Sequence, residues 1–192
     1  LVQAKINAFG SVAMAGVAAY SKIDGFVYMP TMALSLAVST YVGQNIGAGR
    51  YERVGRGIRI CVLMSGIIAV LFGATVILTC RGLLGIFTGD AGAQDFAVEM
   101  MWFLAPFAWL YAMGDVLGGA MRGAGAATQV TVISAACICA FRIVWLIVML
   151  RLYPDIRTVF LCYPVSWVLN TAVTFIYYFK GSTVKKAMST SK

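Results

Sequence analysis

Apolar stretches as long as a lipid bilayer is thick recur along this chain, and they restrict its fold more than any other feature. Residues 58–79, 130–150 and 158–179 each approach or exceed the roughly 20 residues that carry a helix across the hydrocarbon core. Residues 96–121 are long enough too, although Glu99 and Asp115 interrupt them. A soluble domain cannot bury so many such segments, because its surface must carry charge. Here 61% of residues are hydrophobic and only 11% charged, against about 25% charged in soluble domains. The expected fold is therefore all-α and polytopic. Residues 1–181 should form a transmembrane helix bundle of five full spans, over residues 12–42, 58–79, 96–121, 130–150 and 158–179. A helical stub at residues 1–7 precedes them and a basic tail at 182–192 follows. The opening at Leu1, beside what reads as a helix end, implies a missing N-terminal part.

The connecting segments set the orientation. One side collects Arg50, Arg53, Arg56, Arg59, Arg122, Lys180, Lys185, Lys186 and Lys192. The other collects Lys5, Arg81, Arg151 and Arg157, together with Asp90, Asp95 and Asp155. The positive-inside rule puts the first side, and the C-terminus, in the cytoplasm of a multi-pass protein of the cell membrane. The formal charge of +8 reads as basic loops near anionic lipid. No basic-aromatic patch outside the apolar segments points to nucleic acid.

Several chemistries are removed at once. There is no histidine, so imidazole zinc sites, Ser-His-Asp triads and histidine proton relays are out. Cys61, Cys80, Cys137, Cys139 and Cys162 lie in or at the end of apolar segments. Cys137 and Cys139 are two apart and face different ways on a helix, with no second ligand pair for a metal. No metal and no organic cofactor is expected.

Polar residues instead form stripes. Asp24, Tyr28, Thr31, Ser35 and Ser39 follow one another at spacings of 4, 3, 4 and 4, one face of the first span. Tyr163, Ser166, Asn170, Thr174 and Tyr177 do the same on the fifth. The third carries Tyr111, Asp115 and Arg122. Pro30, Pro106 and Pro164 should bend these same three spans. Such stripes either line a shared hydrated cavity or hold the bundle together by interhelical hydrogen bonds; the ionisable members favour a cavity. Asp115 is the first candidate for binding a coupling ion, with a permanent arginine partner as the competing role. Arg142, inside the fourth span, is the expected partner, or else a seat for an anionic group. Asp24 is placed at the outer mouth. Span two, nearly without polar residues, reads as lipid-facing scaffold.

Two glycine turns close the pattern: Gly43-Gln44-Asn45-Ile46-Gly47-Ala48-Gly49-Arg50 and Arg122-Gly123-Ala124-Gly125. Neither has the strand context, spacing or lysine of a phosphate loop. The first resembles the turn after the eighth helix of multidrug and toxic compound extrusion (MATE) transporters, and Met121 through Gly125 resembles the turn after their tenth. Ala15 through Tyr20 with Pro30 is similar to their eighth helix, and Tyr163-Pro164 with Ser166-Trp167 to the final helix of one bacterial branch. These matches run across most of the chain in the family's order. The resemblance implies the second lobe of a two-lobe, twelve-helix transporter, from about the end of helix 7 to helix 12. It also implies export of cationic or amphipathic compounds in exchange for protons or sodium ions, with the lobes rocking about a central cavity. The second turn departs from the family in continuing Ala126-Ala127-Thr128-Gln129, without proline. Asp115 also lies closer to it than the acidic residue some members use for sodium.

On this reading the chain is part of a drug or cation antiporter, working in the bilayer with an N-terminal lobe. Its cavity candidates are Tyr28, Thr31, Ser35, Tyr111, Arg142, Tyr163 and Asn170. The alternatives are a lipid-linked oligosaccharide flippase of the same superfamily, with Arg142 on a phosphate, or an inactive remnant. An intramembrane enzyme fits poorly, since Asp24 and Asp115 fall in different spans without acidic partners.

Overall fold

The computed structural model describes residues 10–181. The stub and the basic tail expected at the two ends lie outside the described residues. Among the described residues five helices are long and apolar enough to cross a membrane: α1 (Ser11–Gly47), α2 (Tyr51–Phe87), α3 (Ala91–Gly123), α4 (Ala127–Leu152) and α5 (Ile156–Gly181). The connectors, residues 48–50, 88–90, 124–126 and 153–155, are three residues each, so chain neighbours run antiparallel.

The two ends of the bundle turn by different chemistry. At the end carrying the α1–α2 and α3–α4 turns, glycine does the work. Gly49 has φ +68° and Gly125 φ +89°, a region that L side chains enter only with strain. Arg50 N–H donates to Asn45 O at 2.8 Å and Gly49 N–H to Ile46 O at 3.0 Å. The second turn repeats this pattern: Ala126 N–H donates to Met121 O at 2.9 Å and Gly125 N–H to Arg122 O at 3.0 Å. Both are Schellman caps, which satisfy carbonyls that a helix end would otherwise leave open. At the opposite end aspartates cap helix starts. Asp90 accepts from Gly92 N–H at 2.9 Å, and Asp155 from Arg157 N–H at 3.1 Å.

The helices overrun the spans expected from hydropathy. α2 has 37 residues, about 56 Å of helix against a hydrocarbon core of roughly 30 Å. Arg53, Arg56 and Arg59 therefore sit on the first turns of α2 rather than in a loop; the loop is residues 48–50 alone. Glu99 lies within α3, where Arg157 Nε on α5 meets its carboxylate at 3.0 Å. α2 presents Leu63, Ile67, Leu71 and Leu78 outward.

α3 is the hub. Its small residues let neighbours approach backbone to backbone. A Cβ on Gly119 would strike the Ser35 carbonyl oxygen, one on Gly123 the Ser39 carbonyl oxygen, and one on Gly114 the Thr171 hydroxyl. Two apolar cores result. One joins Tyr20, Ile23, Leu84, Met100, Leu104 and Phe160. The other joins Val38, Val42, Val54, Ile58, Leu117 and Met121. On α1 and α3 the polar residues gather in the stretch between these two sets, while on α2 that stretch stays largely apolar.

α4 differs from the other spans. Its middle, Ala135–Ala140, is a π-helical turn, a local insertion that shifts register and frequently marks functional sites. Cys137 is buried and Cys139 exposed, and all five cysteines are free thiols.

Candidate functional site

Between the two cores lies a cavity of about 270 Å³ to which all five helices contribute. Asp24, Tyr28 and Thr31 reach it from α1, Tyr111 from α3, Arg142 from α4, and Tyr163 from α5. All six were candidates from the sequence, five as members of the polar stripes and Arg142 as the lone charge inside the fourth span. Tyr20 and Trp167 complete the wall, with Ala69, Ala108 and Ala112 leaving the space open.

Each polar side chain has a local reason for its place. Asp24 and Tyr20 are one turn apart on α1, and the Tyr20 hydroxyl donates to Asp24 Oδ1 at 3.0 Å. Arg142 stands two residues past the π turn. Its Nε donates to Ser166 Oγ at 2.9 Å, and its guanidinium carbon lies 4.4 Å from the Tyr163 ring centre. Ser166 Oγ in turn donates to the Tyr163 carbonyl at 2.8 Å, so Arg142 is braced against α5. Of its five N–H donors only that one bonds a described residue. The aromatic rings form a belt: Tyr28 and Tyr111 are 5.0 Å apart between centroids, Tyr111 and Trp167 5.4 Å, Tyr163 and Trp167 6.3 Å. Trp102 and Trp109 face outward instead. The cavity thus offers one carboxylate, one guanidinium and an aromatic wall.

Asp115 is not in this cavity. It lines a smaller pocket of about 30 Å³, with Arg122, Ser134, Asn170 and Thr174. Its cationic partner is Arg122, whose Nη2 is 3.6 Å from Asp115 Oδ1, and not Arg142. The two are seven residues apart, two turns along one face of α3, while Arg142 is turned towards α5. Ser35, expected in the cavity, joins this cluster: Arg122 Nη2 donates to Ser35 Oγ at 2.9 Å, and Ser35 Oγ donates to the Asp115 carbonyl at 3.1 Å. Asn170 also lies here rather than in the main cavity. It is 5% exposed and its Oδ1 has no hydrogen-bond partner. A pocket of this size admits a single water, and a buried orphan acceptor would take one. Tyr111 and Ile138 line both spaces and form the wall between them.

The turn residues lie at the end nearest this pocket. Asn45 Nδ2 donates to the Tyr41 carbonyl at 2.8 Å, and Gln44 O accepts from Ala48 N–H at 3.0 Å. A Cβ on Gly43 would stand 3.3 Å from the Gly123 carbonyl oxygen, so the two glycine motifs are neighbours in space. Gly47 has open space around it. Among the described residues no group of three acidic or cysteine side chains is placed to hold a metal ion.

Comparison with known proteins gives a consistent answer. The MatE family model matches residues 2–148. The probable multidrug resistance protein YoeA of Bacillus subtilis is 23% identical over 174 residues, 90% of this chain and 38% of that protein. The probable multidrug resistance protein NorM of Thermotoga maritima is 23% identical over 94% of the chain and 39% of its own length. Rabbit multidrug and toxin extrusion protein 1 is 33% identical over 100 residues, 52% of this chain and 17% of that protein. A MOP superfamily transporter from Pyrococcus furiosus, described as having a binding pocket of reverse polarity that suggests a different function, superposes with a TM-score of 0.81 at 19% identity. That superposition covers 93% of this chain and 40% of the transporter. The eukaryotic MATE transporter AtDTX14 gives a TM-score of 0.74 at 18% identity, over 94% and 41% of the two chains. The chain spans about two fifths or less of the length of these relatives.

Proposed function

The chain belongs to the MatE family, a family of multi-pass membrane transporters and not of enzymes, and from that membership we propose that it supplies the second lobe of a secondary active efflux transporter. The proposed activity is export of organic cations by proton- or sodium-coupled antiport through alternating access. One observation carries it: the Asp24 carboxylate stands in a cavity walled by Tyr28, Tyr111, Trp167 and Tyr163. Amphipathic cations are recognised by such a combination, the charge by the carboxylate and the rings, the apolar body by the aromatic wall. Among the described residues Asp24 hydrogen-bonds only a neutral phenol and forms no salt bridge, so a cation or a proton meets a carboxylate that no cation directly pairs. At Asp115 that position is already taken by Arg122. Asp24 is thus the preferred ion-coupling residue, and Asp115 the second. Substrate and coupling ion binding the same carboxylate in turn would give exchange, since each favours one orientation by differential affinity.

Arg142 supports a second reading. With N–H donors left for the cavity, it would seat a phosphate or carboxylate, as in a lipid-linked oligosaccharide flippase. The test is transport by the complete protein in proteoliposomes, with a fluorescent organic cation and a lipid-linked oligosaccharide as substrates. Cation efflux lost in Asp24→Asn and kept in Arg142→Gln supports the antiporter. Oligosaccharide flipping lost in Arg142→Gln, with no cation efflux by the unaltered protein, supports the flippase and overturns the first reading.

The proposed location is the cell membrane with the C-terminal end of α5 in the cytoplasm. Arg50, Arg53, Arg56 and Arg59 form no ion pair with any described residue, whereas Arg81 and Arg157 at the opposite end are paired with Asp95 and Glu99. Four unpaired arginines thus stand at one end against Lys22 and Arg151 towards the other, the asymmetry that the positive-inside rule expects of a cytoplasmic face.

A further inference from the structure

A second concave surface lies away from the polar cavity. Ile23, Phe26 and Val27 of α1 and residues from Phe72 to Phe87 of α2 line a cleft of about 340 Å³ with no polar surface. Two threonines belong to the lining, yet their hydroxyls are used within α2: Thr75 Oγ1 donates to Leu71 O at 2.9 Å and Thr79 Oγ1 to Thr75 O at 2.8 Å. Nothing in the cleft asks for a hydrogen bond. Its α2 wall runs fifteen residues, about 22 Å, longer than the roughly 15 Å of hydrocarbon in one leaflet, while α1 flanks it over one turn, Ile23 to Val27. Phe26, Phe72 and Ile86 on its rim are exposed, so it opens sideways towards lipid.

The cleft also has a charged end. Lys22 is exposed on α1, forms no salt bridge with a described residue, and holds its Nζ 5.2 Å from the centre of the Phe87 ring. Phe87 is the last residue of α2, at the end of the bundle where Asp90 and Asp155 cap the next helices. Lys22 therefore extends its charge towards the membrane surface at the cleft's mouth, as long basic side chains do near an interface.

We propose that this cleft is a phospholipid site: one acyl chain fills the groove between α1 and α2, and the lipid phosphate pairs with Lys22. Apolar length, a lateral opening and a single ammonium at the interfacial end match the three parts of such a lipid. The polar cavity shares Val27 with its lining, and a small space of about 40 Å³ that includes Ile23, Val27 and Val76 on one side and Tyr20 and Asp24 on the other borders both. The site does not depend on what is transported.

The test uses the complete protein reconstituted in vesicles that contain phosphatidylglycerol with a photoactivatable acyl chain. Crosslinked residues are mapped by mass spectrometry. Labelling should concentrate on Phe72, Thr75, Val76 and Thr79 over the equally lipid-facing Leu63 and Ile67. Lys22→Gln should reduce it several-fold for phosphatidylglycerol, and Thr75→Trp, which fills the groove and leaves the charge, should abolish it. Equal labelling of Leu63, Ile67 and Thr79 would mean annular lipid only and would overturn the proposal. So would absence of labelling in the cleft, which would mean that another segment of the protein occupies it. Retention of labelling in Lys22→Gln with loss in Thr75→Trp would remove the headgroup contact and reject the site as stated. Thermal melting of each variant in detergent separates loss of lipid from loss of fold.

Discussion

Arg122 was visible in the sequence as part of a glycine turn, and the structure gives it further work. It bridges α1 and α3 by donating to Ser35 and pairing with Asp115. Both ion-pair members are partly solvated, so the effect is modest. Arg122→Ala should lower stability by roughly 1–2 kcal/mol, the scale of a lost charged hydrogen bond with water able to replace part of it. Asp115→Asn in the same chain should recover some of that loss, because no unpaired carboxylate then remains. A double-mutant cycle of thermal melting in detergent measures this; strictly additive losses would show that the two side chains do not couple. The spacing of seven between Asp115 and Arg122 was legible, as was the stripe containing Asp24, Tyr28 and Thr31. Tyr20 was equally legible, one turn before Asp24, but a tyrosine following a run of small residues gives no hint that its hydroxyl finds a carboxylate. The placement of Ser35 against Arg122 and of Asn170 in the smaller pocket was not legible. A helical wheel gives the face a residue occupies, not the depth at which two neighbouring helices close over it.

At the scale of elements, glycines divide by what surrounds them. Gly123→Ala would put a methyl into the Ser39 carbonyl and force α1 from α3, costing about 1–3 kcal/mol as overpacked sites do. Gly49→Ala places an L side chain at φ +68°, at a cost of roughly 1–2 kcal/mol. Gly73→Ala meets open space within α2 and should be neutral or stabilising by up to about 1 kcal/mol. Melting midpoints of the three variants should fall in that order of contrast, and a loss at Gly73 equal to that at Gly123 would refute the packing account. The turns were readable because Gly-Ala-Gly occurs twice with one residue chemistry. The helix ends were not, because hydropathy reports where the bilayer is and not where the backbone stops being helical; Arg53, Arg56 and Arg59 are good helix formers that simply prefer water. The π turn in α4 left no trace either. Reading residues 130–150 at 3.6 per turn cannot register an inserted residue, nor the shift of face that the insertion gives to Arg142 beyond it.

For the whole molecule, the decisive arrangement is two polar spaces separated by Tyr111 and Ile138, each space set between apolar cores. Asp24 and Arg142 occupy one and Asp115, Arg122 and Asn170 the other, so the two carboxylates are not members of one site even though both lie inside the membrane. If the wall is what separates them, removing its larger member should join them. Tyr111→Ala would delete the ring that contacts Tyr28 and Trp167 and open the small pocket to the cavity. A cysteine placed at Thr174, which lines only the small pocket, reports this. In protein whose five native cysteines are replaced by alanine and whose Tyr111 is intact, a charged, membrane-impermeant thiol reagent should reach it slowly. In Tyr111→Ala the reaction should be several-fold faster when the reagent enters from the cavity side, and an organic cation bound in the cavity should slow it again. Unchanged reactivity in Tyr111→Ala would mean that Ile138 alone, or the backbone around it, closes the pocket. Fast reaction with Tyr111 intact would mean that the pocket already communicates with solvent at the end carrying the glycine turns. In that case Asp115, not Asp24, would be the carboxylate reached first by an ion from that face, and the order of the two candidates for coupling would be reversed.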